Sequence, residues 1–577
     1  METSRCVYLG RLIAFVLVTS YFNCAAIAQV ILRIHADPAL NIKEPLTGRL
    51  LITMVDTSDS HTKDLDPADA PFWEHRTPGI AMELVALDPT KPIELIESKA
   101  FFLNIASFRD LKGSYKAVAR LIRNRSTSQW NDADGNLYSD SVSITITQDA
   151  PSTVDLHLTK ITKARTWPKN APEGVEEISI RSQLLSDFHK KDVYLNAGVV
   201  LPRNYDPAKK YAAVYEIPGF GGRHFSAIRR AKSWRVDQPK EEEAAPAVAL
   251  SKAAFWIVLD PESPNGHTLF ADSDNNGPCG EALIKELIPA IEAKYPALAQ
   301  TPGARLLRGH SSGGWSTLWL QVNYPATFGG TWSTSPDPID FRRMQLADIY
   351  AQPSIYVMMS KDPSYRFLFG GGREPVRLTD RGIVRLEIGN VIEAISLGSY
   401  RSGGKLIMTV EQENLNEEFL GPDNTSGQQW DSWIAVFGPR SPRSTPEALF
   451  DPKSGIINKA IAEKYKAYDL TQRLRTAPTA IGPVFRERIR LVVGMQDNFY
   501  LEEAVQMFKW DLDRTYRLKN SQDEHGYIYF IPKTDHGSVL ESTPVKAFPS
   551  QMLEHLIRTG LVEIPQVTPI PALPPSP

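Results

Sequence analysis

Over residues 30–159 the apolar positions come in short runs with partial alternation, broken by turn-forming residues. Residues 50–55, 80–87, 115–122, 142–146 and 154–158 read as strands that present alternate side chains to two faces. Asp134-Gly135, between Trp130 and Tyr138, reads as a hairpin turn. No helical period interrupts this region. The pattern predicts an all-β, sandwich-like domain over residues 29–165, of about seven strands.

A segment holding Pro168 and Pro172 reads as a linker, and beyond it strands alternate with helices, as in α/β domains. Residues 211–217 and 255–259 read as buried strands. Residues 280–295 carry Leu283, Leu287 and Ile291 on one helical face, with Pro289 expected to bend the helix. A strand at 304–308, a helix at 313–323 and a strand near Thr331 follow. The alternation is then lost over residues 336–478, which hold Gly370-Gly371-Gly372 and a proline-rich loop at 438–446. This stretch reads as a cap-like insertion, in which Trp430, Trp433 and Phe437 are spaced like the apolar face of a short helix. Order returns with a strand at 489–493, a helix at 501–512, a strand at 527–531 and a helix near 550–558. One α/β domain is therefore expected in two parts, 166–335 and 479–562, ahead of a proline-rich tail at 563–577.

The first 28 residues stand apart. Arg5 and Arg11 precede an apolar run at 12–18, and Ala26-Ile27-Ala28 supplies small residues for cleavage after Ala28. That is a signal-peptide layout, too short to span a bilayer, so a secreted or periplasmic protein without a membrane span is expected. Of three cysteines, Cys6 and Cys24 lie in the leader. The remaining Cys279 can form neither an internal disulfide nor a cysteine-based metal site, and reads as a buried structural thiol. With 64 Lys+Arg against 67 Asp+Glu the net charge is −3, which offers no electrostatic reason for a nucleic-acid partner. The pattern says nothing of oligomeric state.

Candidate chemistry sits at strand ends. Gly309-His310-Ser311-Ser312-Gly313 matches G-x-S-x-G between a strand and a helix, the context of a nucleophile elbow. A serine hydroxyl needs a base, and in this arrangement the acid and then the histidine follow in chain order. His536 lies just after the 527–531 strand, whereas His525 precedes that strand and His310, beside the nucleophile, should point elsewhere. Asp497, after the 489–493 strand, is the candidate acid, with Asp535 as its rival. An oxyanion hole would draw on the amide of Ser312 and on the loop Pro218-Gly219-Phe220-Gly221-Gly222, with Phe220 N–H preferred and Gly221 the alternative. Asp272-Ser273-Asp274-Asn275-Asn276-Gly277 matches half a calcium loop, but Leu283 stands where the bidentate Glu belongs. It reads as a polar cap on the following helix, and no metal or cofactor is expected.

These pieces resemble the esterase-D-type family of the α/β-hydrolase superfamily, which includes S-formylglutathione hydrolases, feruloyl and acetylxylan esterases and enterochelin esterases. The resemblance rests on residues 193–202, the Pro218 to Gly222 loop, the run from Asn276-Gly277-Pro278 to Leu287-Ile288-Pro289, the Ser311 elbow and the Asp497 and His536 loops. It covers about 178–335 and 480–557, and departs from the family where Pro218 replaces a histidine found in many relatives. It implies Ser311, Asp497 and His536 as a catalytic triad in an exported serine esterase. The substrate would be a small-molecule or saccharide-linked ester, cleaved through an acyl-enzyme. Two other readings use the same residues: a serine exopeptidase or amidase, and a non-catalytic glycan- or partner-binding protein.

Overall fold

The computed structural model describes residues 30–147, 152–234, 245–359, 394–516 and 525–562; the leader, the Gly370-Gly371-Gly372 run and the proline-rich tail lie outside them. The amino-terminal region is all-β, with nine strands: β1 Val30–Ala36, β2 Leu46–Asp56, β3 Gly79–Leu87, β4 Ile93–Glu94, β5 Phe101–Leu103, β6 Gly113–Ile122, β7 Leu137–Ser139, β8 Val142–Ile146 and β9 Ser152–Ile161. They pair in the order β4-β1-β9-β7-β6-β2-β3-β5, with β8 also on β6. Alternation drives the packing: Leu50, Ile52 and Met54 of β2 join Ile80, Ala119 and Leu156 in one core. The opposite face, at Leu51, Ala81 and Ile122, is covered by Phe419 and Leu420 from far along the chain.

Nine strands stand against the expected seven, and three of them, β4, β5 and β7, are only two or three residues long. Strands that short exist through their partners and leave no period to read. Asp134-Gly135 does turn, with Gly135 at φ +87°, but it joins a 3₁₀ turn, Trp130–Asp132, to β7 rather than two strands.

The second region is a mixed eight-stranded sheet: β10 Val175–Arg181, β11 Tyr194–Val200, β12 Ala212–Ile217, β13 Ala254–Leu259, β14 Arg305–His310, β15 Gly330–Thr334, β16 Ile489–Gly494 and β17 Tyr527–Ile531. Their order is β10-β11-β13-β12-β14-β15-β16-β17, parallel from β13 onward, with β11 antiparallel to its neighbours. The carboxyl ends of β12, β14, β16 and β17 thus open on one edge, where sites of such sheets lie. Residues 279–294 are helical but include a π-helical turn, Leu283–Leu287, just before Pro289. Proline lacks an N–H and crowds the carbonyl four residues back, and widening the turn relieves both. Cys279 is buried at the start of this stretch, its Sγ donating to the Asn276 carbonyl at 3.3 Å. Burial, with Asp272 nearby, pushes that thiol up to about 12.

Helix α1, Ser312–Asn323, follows the candidate nucleophile. Within 336–478 the described residues include helices α2, Val410–Leu420, and α3, Gln429–Phe437. Trp430, Trp433 and Phe437 lie on a helix as their spacing predicts, and all three are buried in one cluster with Trp315 of α1 and Leu491 of β16. Burying such side chains contributes about 2 kcal/mol each, so this segment shares the core of the sheet. The β-domain is latched to it as well. Arg49 donates to the carbonyls of Phe419 (2.8 Å) and Glu418 (2.7 Å), satisfying acceptors left open at the end of α2.

Candidate active site

Ser311 links β14 to α1 at φ 59° and ψ −127°, a region L-residues avoid. Its neighbours permit this only as glycines. A Cβ on Gly309 would stand 2.1 Å from the Gly313 carbonyl oxygen, and one on Gly313 would stand 1.9 Å from that of Ile217. The motif therefore packs the serine turn against β12, and a Cβ on Gly219 would lie 3.1 Å from Ser311 Cβ.

Asp497 follows β16 and His536 follows β17, and the structure brings them together: His536 Nδ1 lies 2.7 Å from Asp497 Oδ2. Asp497 is wholly buried and also accepts the Phe499 N–H at 3.0 Å, while Asn498 Oδ1 accepts the His536 backbone N–H at 3.1 Å. The paired Nδ1 carries the proton, which leaves Nε2 as acceptor. Burial opposes the charge on each partner, but their mutual attraction prevails, holding Asp497 below and His536 above its ordinary value. The Ser311 hydroxyl forms no hydrogen bond with the imidazole among the described residues, a contact that commonly tightens only with an acyl group engaged.

The other candidates separate. Asp535 accepts from the backbone and hydroxyl of Ser538 (2.7 and 2.6 Å), so it caps the following turn instead of orienting the ring. His525 precedes β17. His310 does not point away: its ring centroid is 4.4 Å from that of His536, because the elbow turns only after it. Burial, and then His536, push His310 down to about 3, so it packs beside His536 as a neutral ring. Asp272 caps the next helix, accepting from Gly280 N–H (2.8 Å) and Glu281 N–H (3.0 Å).

The Pro218-Gly219-Phe220-Gly221-Gly222 loop is a turn closed by Gly222 N–H to the Gly219 carbonyl (2.9 Å), with Gly221 at φ +74°. Among the described residues the N–H groups of Phe220 and Gly221 donate to no backbone carbonyl. The Ser312 N–H, at the first position of α1, has no partner within its helix. His267 steadies the loop. Its Nδ1 accepts the Leu269 N–H (3.0 Å), so Nε2 is the nitrogen that donates to the Pro218 carbonyl (2.9 Å).

Asp337, which follows β15 and was missed in the sequence, is buried behind the elbow. Its Oδ2 accepts from Ser312 Oγ (2.7 Å), Trp433 Nε1 (2.8 Å) and Gln429 Nε2 (3.3 Å). Burial pushes it up to about 6. Its place just beyond a strand end was legible; its partners on α3, more than ninety positions away, were not. A cavity of about 490 Å³ opens beside Phe220 and Gly221, walled by Trp73, Arg120 and Trp130 of the β-domain and by Gln429 of α3. Trp73 meets Phe499 at 5.6 Å, and Phe499 meets His536 edge-on at 4.9 Å.

Three comparisons complete the picture. The family described as "Putative esterase" matches residues 193–529, more than half of the chain. No curated protein matches the sequence. Similar solved structures include a ferulic acid esterase (11% identity, TM-score 0.35, 66% of this chain and 98% of that one). An S-formylglutathione hydrolase from Agrobacterium tumefaciens is similar at 10% identity and TM-score 0.34, over 67% and 97% of the two chains. A ferulic acid esterase from Anaeromyces mucronatus is similar at 12% identity and TM-score 0.29, over 68% and 97%.

Proposed function

The chain belongs to the esterase family matched over residues 193–529 and is a carboxylic ester hydrolase on an α/β-hydrolase sheet, and from that premise we propose that it is an exported serine esterase working through Ser311, His536 and Asp497. Ser311 Oγ attacks the ester carbonyl carbon while His536 Nε2 takes the hydroxyl proton. The tetrahedral oxyanion is held by the N–H of Ser312 and of Phe220, with Gly221 as the alternative second donor. Collapse expels the alcohol, which receives the proton back from His536. Water then gives a proton to His536 as its oxygen attacks the acyl carbon, and Ser311 departs with that proton, releasing the acid. Throughout, Asp497 keeps the proton of the resting ring on Nδ1 and stabilises the imidazolium.

The observation that carries this reading is the 2.7 Å contact of His536 with Asp497 at strand ends beside a serine held at positive φ. The substrate is a small-molecule or saccharide-linked ester whose larger group enters the cavity beside Phe220. Glu417 of α2 and Gln429 of α3 stand in the wall of that cavity, so the 336–478 segment acts as a cap that selects substrate and supplies no triad member. Export rests on the leader layout, and no helix among the described residues is long and apolar enough to cross a membrane. A small fluorophosphonate should label the protein on Ser311 and abolish ester hydrolysis; labelling at another serine with activity lost would overturn the assignment. Mass spectrometry of the extracytoplasmic protein should find Gln29 at its amino terminus.

A further inference from the structure

The amino-terminal β-domain reaches the catalytic edge through Trp73, which packs on Phe499, and through Gln129, which bonds to the Pro218 to Gly222 loop. Gln129 Nε2 donates to the Gly221 carbonyl at 2.7 Å. Its own position is fixed from three sides. Glu262, just after β13, accepts from Thr127 Oγ1 (2.6 Å) and from Ser128 N–H and Oγ (both 2.8 Å). Arg125 donates to the Thr425 carbonyl (3.1 Å) between α2 and α3. Ser128 presses so closely on Gly427 that a Cβ there would stand 2.5 Å from Ser128 Cβ. The loop carrying Gln129 is thus clamped between the β-domain, the sheet and the insertion.

What Gln129 holds follows from peptide planarity. The Gly221 carbonyl and the Gly222 N–H belong to one trans peptide unit and point in opposite directions. Gln129 grips the first and the Gly219 carbonyl accepts the second, so this plane is anchored at both ends. The Gly219 carbonyl shares its plane with Phe220 N–H. Holding that carbonyl turned inward therefore holds the Phe220 N–H turned outward. The loop has glycine at three of its five positions and little stiffness of its own. We infer that Gln129 is a positioning residue, through which the β-domain keeps the Gly219–Gly222 turn in the conformation that aims its N–H donors at a developing oxyanion. This rests on the serine-esterase reading above.

Deleting an oxyanion donor outright commonly costs 10²- to 10³-fold in kcat, and loosening one should cost about tenfold. In the full-length protein, Gln129→Glu and Gln129→Met keep the length of the side chain without its amide donor. Both should lower kcat on p-nitrophenyl acetate about tenfold, with KM within about twofold and Tm unchanged. Phosphonylation of Ser311 by a small fluorophosphonate should slow by a similar factor. A residue that merely supported the fold would move Tm and leave the kcat of the folded fraction alone; that result, or kcat within twofold of wild type in both variants, overturns the inference. If one variant fails to fold, the other carries the test. Wild-type protein that is labelled on Ser311 and active keeps the parent reading intact whatever Gln129 does, and wild-type protein that is neither defeats both.

Discussion

The two sides of the catalytic edge are held by different means. Ser311, Asp497 and His536 stand directly after β14, β16 and β17, parallel strands whose hydrogen bonds fix where each loop begins. The Pro218 to Gly222 turn opposite them follows β12 but owes its shape to side chains from elsewhere: His267 on the Pro218 carbonyl and Gln129 on that of Gly221. The groups proposed to move protons thus inherit their placement from the sheet, while the proposed donors for the oxyanion depend on distant ties. The first arrangement should fail all at once when one member is lost, and the second by degrees.

The largest effect should come from the sheet side. Ser311→Ala should lower kcat by about 10⁴ to 10⁶ with the fold intact, measured as steady-state ester hydrolysis alongside a thermal melt. Wild-type-like turnover by the folded variant would sink the assignment. Asp497→Asn should come next, at about 10⁴ through the wrong imidazole tautomer, while Asp535→Asn stays within a few-fold because Asp535 only caps its own turn. Reversed magnitudes would mean the acid is misassigned.

A gentler change tests the elbow's support. His536 must be neutral to take a proton, and its affinity for protons is raised, so kcat/KM should fall on the acid side at a pH above the ordinary histidine value of about 6.5. Asp337, ionised above about 6, adds to the field that favours the imidazolium. Asp337→Asn removes that charge but leaves an amide oxygen that can still accept from Ser312 Oγ, so the acid limb should move to lower pH with kcat reduced no more than about tenfold. An unmoved limb would remove Asp337 from the site's electrostatics. The smallest effect is expected for Trp433→Phe, which deletes one hydrogen bond to Asp337 and keeps most of the packing. It should cost about 1 kcal/mol of stability, read from denaturant unfolding, with kcat changed less than threefold.

The same contrast explains what could be read in advance. Long strands with regular spacing, such as β12, β14 and β16, are visible as apolar runs, and the residues just beyond them follow. Ser311, Asp497 and His536 were legible for that reason, and the Trp430 helix from its period of three and four. Asp337 and Gln129 were not, because the α3 partners of the first and the Gly221 partner of the second lie on other elements, ninety or more positions away. The antiparallel pair β10 and β11 carries glutamates and an asparagine among its apolar residues, which blurred its signal.

The thiol of Cys279 bears on a different question. It is the one cysteine among the described residues, and burial holds its thiol well above the ordinary cysteine range, so it reacts when the surrounding core opens. With the leader removed as proposed, the chain therefore contains an intrinsic gauge of its breathing. The rate at which a thiol reagent is consumed reports how often the region around the π-turn opens, with no label introduced and no need to denature the remainder.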